Sequence, residues 1–177
     1  MLWTVFRVDG GFSPGDFFAN TVGASLALSQ DLVWQDQRVR LKWSFTQTNL
    51  PQYSTSLGSS SLDYWLHDYN GQTYWLSANL RSFFKETKIP RLLNVAVGYG
   101  AQNMIEEYSN PPGLPKGLSS APRYRQYYLS LDLDLSRIKT KSKFIKILLE
   151  VANGIKIPSP TLEYTSQGNL KFHYLYF

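Results

Sequence analysis

Asp132 and Asp134 stand two residues apart in "YYLSLDLDL", so on a strand both carboxylates point to one face. Carboxylates placed in this way can share acid–base work or hold a cation. On an amphipathic strand the same two residues are simply part of the water-facing side. His67 lies beside Asp68 and close to Asp63, and an imidazole backed by a carboxylate can serve as a base with its orienter. If the segment is a strand, neighbouring side chains point to opposite faces and the His67–Asp68 pair is broken. Asp16, inside the largely apolar "GFSPGDFFANTVGASLALSQDLVW", is the fourth candidate residue. His173 sits in an aromatic run, residues 172 to 177, and reads as structural.

Other chemistries lack their residues. The chain has no cysteine and two histidines, which excludes disulfides and thiol catalysis and argues against a zinc enzyme. It contains no serine nucleophile elbow, phosphate loop or HExxH. No metal and no cofactor is expected. The net charge of +5 is concentrated in "SRIKTKSKFIKIL", where Arg137, Lys139, Lys141, Lys143 and Lys146 crowd together. Such a cluster is a solvated face or a site for anionic lipid. With no zinc-finger spacing or RNA-binding signature beside it, nucleic acid is not an expected partner.

The elements that position these residues are legible as patterns. Ser13-Pro14 reads as a hydroxyl N-cap followed by proline at the first helical position, and the helix runs to about Gln35. "VRLKWSFTQ" alternates as a strand with one wet face. Asn70-Gly71 is a strong turn signal. A hairpin there sets His67 opposite Tyr74 and Trp65 opposite Leu76; the competing and favoured reading follows the turn with a helix from near Thr73 to before Pro90. "LLNVAVGYGA" reads as a strand whose Gly98 and Gly100 permit close backbone approach, and residues 109 to 123 as a proline- and glycine-rich loop. In "YYLSLDLDL", Tyr127, Leu129, Leu131, Leu133 and Leu135 face one way, and Tyr128, Ser130, Asp132 and Asp134 the other. A short helix, Lys143 to Ala152, closes at Asn153-Gly154, and Gln167-Gly168 turns between two final strands. The expected fold is α+β: an N-terminal apolar helix packed with a small antiparallel sheet or partial β-barrel, and further short helices.

Aromatic residues make up 15% and charged residues 18% of the 177, an aromatic excess with a charge deficit. The pairing suits a membrane interface, a sugar-binding surface or an all-β core. No stretch reaches the roughly 18 uninterrupted apolar residues of an ordinary spanning helix, and "MLWTVFRVDG" has no secretory-signal pattern. "LKFHYLYF" is similar to the last strand of an outer-membrane barrel, although closing such a barrel takes at least about eight strands. In the opening helix Ala19, Gly23 and Ala27 form a small-residue groove, with Asp16 and Asn20 as an adjacent polar row. Such a surface calls for a partner helix, from this chain or another.

"GFSPGDFFANTVGA" resembles a segment of the YfiM-like family of predicted periplasmic lipoproteins, a domain of unknown function. There a Ser, an Asp and an Asn-x-x-Gly follow a glycine-containing turn; the matching residues are Ser13, Asp16, Asn20 and Gly23. The resemblance continues through "DYNGQTYWLSANL", "PRLLNVAVGYGA", "YYLSLDLDL" and "KIPSPTLE". The helix spacing is also similar to that of VanZ-like membrane proteins. Family members usually begin earlier, with a signal segment and a helix bearing an Asp-Lys…His element that this chain lacks. Residues 1 to 177 are therefore read as one domain, or as the C-terminal part of a longer member. The resemblance implies a bacterial envelope location, in the periplasm or at the outer membrane, and no established activity.

Together these readings give a non-enzymatic envelope protein associated with a membrane or a membrane complex. The alternatives are an enzyme acting on envelope lipid or glycan through Asp16, His67, Asp132 or Asp134, and a carbohydrate-binding module using Trp65 and Trp75.

Overall fold

A computed structural model describes residues 14–54, 57–58, 60–84, 88–106, 110, 114–115, 118 and 122–177. The expected cap at Ser13, the side chains of Asp16 and Ala19, and most of the 109–123 loop lie outside the described residues. Two compact units divide the chain, Met1–Val39 and Arg40–Phe177.

The first unit carries helix α1, Pro14–Trp34. It ends at Gln35, whose φ of 50° takes the left-handed conformation that commonly terminates helices. Gln30 then folds the following chain back: its Oε1 accepts from the amides of Arg38 and Val39 at 2.9 and 2.7 Å. Its Nε2 donates to the Val39 carbonyl at 2.8 Å. Buried Gln30 thereby satisfies backbone groups of the chain that returns along the helix. Most of the remaining side chains on α1 are exposed, among them Phe17, Phe18, Leu28 and Leu32. No helix among the described residues is long and apolar enough to cross a membrane.

The second unit is a six-stranded antiparallel open sheet with a few short helices. Its strands are β1 (Val39–Phe45), β2 (Gln72–Asn79), β3 (Leu93–Gln102), β4 (Tyr124–Leu133), β5 (Ser159–Thr165) and β6 (Leu170–Tyr176), and they lie side by side in sequence order. Helix α2 (Ser61–His67) precedes β2, α3 (Leu80–Phe83) follows it, and α4 (Lys143–Ala152) lies between β4 and β5.

Two expectations are corrected. Residues from Thr73 onward form β2 with a single helical turn after it, because Trp75, Ser77 and Asn79 alternate inward while β2 pairs with β3 from Thr73↔Gly100 to Asn79↔Asn94. The Asn70-Gly71 turn joins a helix to a strand, so His67 does not face Tyr74 across a hairpin. The turn itself is tightly built. The Asn70 side chain grips the Met104 backbone through both its amide atoms, at 2.8 and 2.7 Å. A Cβ on Gly71 would lie 2.3 Å from the Thr46 carbonyl oxygen, which leaves room only for glycine.

The larger correction concerns which face is wet. The polar side chains of the strands are buried and the apolar ones exposed, from Lys42 and Ser44 in β1 to Thr161, Glu163 and Thr165 in β5. The sheet curls strongly around this polar face. Lys42 of β1 reaches Asp132 of β4 at 2.8 Å, and the rings of Trp75, Tyr128 and Tyr176 meet across it with centroids 4.7 to 6.2 Å apart. Gly98 makes space for that stack, since a Cβ there would sit 2.6 Å from the Trp75 ring. A second small core, Leu50, Leu57 and Ile105, lies under the loops.

Candidate functional site

The inner face holds charged groups knit together, several of them fully buried. Lys42 and Asp132, both fully buried, pair at 2.8 Å, and Lys42 also donates to the Leu133 carbonyl at 2.7 Å. Asp132 further accepts from Ser77 Oγ at 2.6 Å, and Asn94 donates to that Ser77 hydroxyl at 2.8 Å. Lys156, equally buried, donates to Ser159 Oγ at 2.8 Å and to the Ile157 carbonyl at 2.7 Å. Burial lowers the Lys156 pKa to about 8; the Asp132 charge opposes the shift and Lys42 adds to it. Burial would raise Asp134, but a hydrogen bond from Ser136, the Arg40 charge and bonds from Arg137 and Asn153 outweigh it and hold the carboxyl below its ordinary range. At the far side of the face, Glu163 accepts from Gln126 at 2.7 Å and meets His173 Nε2 at 2.6 Å. Buried charges persist where partners satisfy them in this way.

The outer face is the inverse. Tyr74, Tyr99, Tyr127 and Tyr164 are mutual register partners across β2 to β5 and form one exposed row. The next row is Leu76, Val97, Leu129, Leu162 and Phe172, also exposed. Leu131 and Leu133 continue the surface along β4. From Tyr127 to Leu133 this surface runs about 20 Å along the strand. Beyond the tyrosine row, on the same face, comes Arg125.

Helix α4 lies at the opposite end of β4. Asn153, which closes it, donates to Asp134 at 2.8 Å and accepts from the Leu135 amide at 2.9 Å, and Glu150 pairs with Arg40 at 3.1 Å. Ser142 caps its start. None of its residues is buried. Phe144, Ile147, Leu148 and Val151 fall on one face by helical spacing, and Phe144 and Val151 are 75% and 72% exposed. Lys139, Lys141, Lys143 and Lys146 are exposed around it. Arg137, the fifth basic residue of that cluster, is half-buried and turned to Asp134 at 3.2 Å.

The other sequence candidates do not converge. Asp132 lies on the inner face of β4, whereas Asp134, expected on the same strand, stands just past its end and caps the 3-10 turn Leu135–Arg137; both are buried and held by different cations. His67 pairs with Asp63 at 2.7 Å on exposed α2, whereas Asp68 turns inward to Thr48 and Asn70. On α1, Asn20 and Ala27 are exposed and Gly23 is half-buried. Trp75 is 1% exposed; Trp65 is 52% exposed and packs on Trp43 and Phe45. No three His, Asp or Glu side chains gather as a metal site among the described residues. The buried partners Lys42, Lys156, Glu163 and His173 were not among the sequence candidates; for Lys42 the available signal was its place on the same strand face as Ser44, and Lys156 lies outside the strands with no comparable signal.

Fold and surface thus define a class: a curled antiparallel sheet with a polar interior and an apolar exterior. No family model, curated protein or solved structure matches the chain.

Proposed function

We propose that this chain is a non-enzymatic cell-envelope protein whose sheet presents its outer face to lipid. The observation that carries this reading is the inverted pattern itself. A sheet facing water on one side buries its apolar residues and exposes its polar ones; membrane β-structure does the reverse, with aromatic residues at the edge of the apolar band. The in-register tyrosine row supplies that edge at one end, where amphipathic rings sit at headgroup depth. At the other end α4 supplies an apolar face with a lysine surround, the composition of a helix lying in the membrane interface. Lysines so placed attract anionic lipid by about 1 kcal/mol each.

The apolar rows are shorter than the roughly 25 Å band of a transmembrane barrel, and the six strands among the described residues are fewer than the smallest bacterial barrel has. The reading is therefore of lipid contact, alone or within a membrane complex, and not of a free-standing barrel. The envelope location implied by the resemblance to the YfiM-like family agrees with it. An enzymatic reading gains nothing from Asp132 and Asp134, whose oxygens are occupied by partners.

Flotation of the purified chain with vesicles tests this. The chain is expected to rise with vesicles containing anionic lipid and to stay bound after a high-salt wash. A chain that stays at the bottom of the gradient, monodisperse without detergent, contradicts the proposal.

A further inference from the structure

At the tyrosine end of the sheet a cavity of about 490 Å³ opens between β2, β3 and the chain that follows β3. That volume is in the range of small-molecule sites. Leu57, Met104, Ile105 and the rings of Tyr69, Tyr74 and Tyr99 make its walls apolar. Its polar groups are few. Tyr74 Oη donates to Gln72 Oε1 at 2.6 Å, and Gln72 Nε2 is spent on the Trp65 and Leu66 carbonyls. The charged groups in the cavity lining are Arg123, Arg125 and Glu106. Glu106 itself accepts from Ser54 Oγ.

Arg125 is the informative residue. Its guanidinium lies 5.9 Å from the Tyr99 ring centroid, and Nη1 is 3.4 Å from the Met104 thioether sulfur. A ring face and a sulfur are weak partners for a guanidinium, whose planar fork matches a carboxylate or phosphate. We infer that this cavity binds an anionic amphiphile, with its acyl chain among the apolar walls and its carboxylate or phosphate head on Arg125. The inference rests on the lipid reading only for where such a ligand comes from.

Binding is tested on the full chain with two fluorescent single-chain probes, a fatty acid and a lysophosphatidic acid. A monoacylglycerol probe of the same length is the neutral control. Saturable binding of either anionic probe is expected, about tenfold or more tighter than the neutral one, because one charge-assisted hydrogen bond is lost with the charge. Arg125→Gln, at an exposed position that does not threaten folding, is expected to erase that difference. The tighter of the two probes identifies the headgroup. Met104→Trp, which fills the cavity, is expected to weaken all three. Equal binding of anionic and neutral probes, an Arg125→Gln variant that keeps the preference, or no saturable binding overturns the inference. Vesicle flotation that persists without probe binding overturns this site and leaves the lipid reading standing; probe binding without flotation does the opposite.

Discussion

Lys156 shows what the polar interior costs and what holds it. The ammonium is buried where it feels both members of the Lys42–Asp132 pair. Its folded pKa of about 8 lies below its ordinary value of 10.5. Between these values the unfolded chain keeps a proton that the folded chain has released, so stability rises with pH through this window. Tyr128 and Tyr176 act oppositely: burial raises both hydroxyls, and their effect reduces stability once pH passes about 10. Melting temperatures are therefore expected to climb from pH 8 to about 10, and Lys156→Met should flatten that climb. A wild-type profile already flat there would refute the role of burial. Asp132→Asn is expected to cost about 3–5 kcal/mol, because it strands Lys42 in the interior. The double variant Lys42→Met, Asp132→Leu should cost less than that single change in denaturant unfolding. Gly98→Ala drives a methyl into the Trp75 ring and should cost about 1–3 kcal/mol, the usual range for overpacking.

Among the elements, α4 separates two roles that its sequence combines. Asn153 at its closing end ties it to the end of β4, while its apolar face is exposed. Changing Lys139, Lys141, Lys143 and Lys146 to Glu should lower binding to anionic vesicles strongly and to neutral vesicles little, with the melting temperature unchanged. Equal loss on both vesicle types would remove the lysines from the account. The same helix marks how far the sequence could be read. Its bounds, the extents of α1 and β3, and the turn at Gly168 follow from period, proline, capping serine and glycine, whereas β4 runs Tyr124–Leu133 and not to Leu135 as its alternation suggested. For β2 the pattern misled: Leu76, Leu80, Phe83 and Phe84 fit a helical face, and only pairing with β3 decides for a strand. The period of β4 was legible as well, but period does not say which face meets water. That sign is set by long-range partners, Lys42 ninety residues before Asp132, and no local pattern carries it. The cavity by Arg125 was illegible for the same reason, since its walls come from β2, β3, β4 and two loops.

For the molecule as a whole, the central claim is that the outer face of the sheet contacts lipid. Leu129 lies in the middle of the apolar rows, flanked in register by Val97 and Leu162. The lack of cysteine in the chain allows a single spin label to be placed there without background. The decisive measurement is the accessibility of labels at Leu129→Cys, Val97→Cys and Leu162→Cys in vesicle-bound protein, to oxygen, which concentrates in lipid, and to a water-soluble nickel chelate. High oxygen and low nickel accessibility are expected at all three positions, with the reverse for a control label at exposed Gln52. Nickel accessibility at Leu129, Val97 and Leu162 equal to that at Gln52 would contradict the claim of lipid contact.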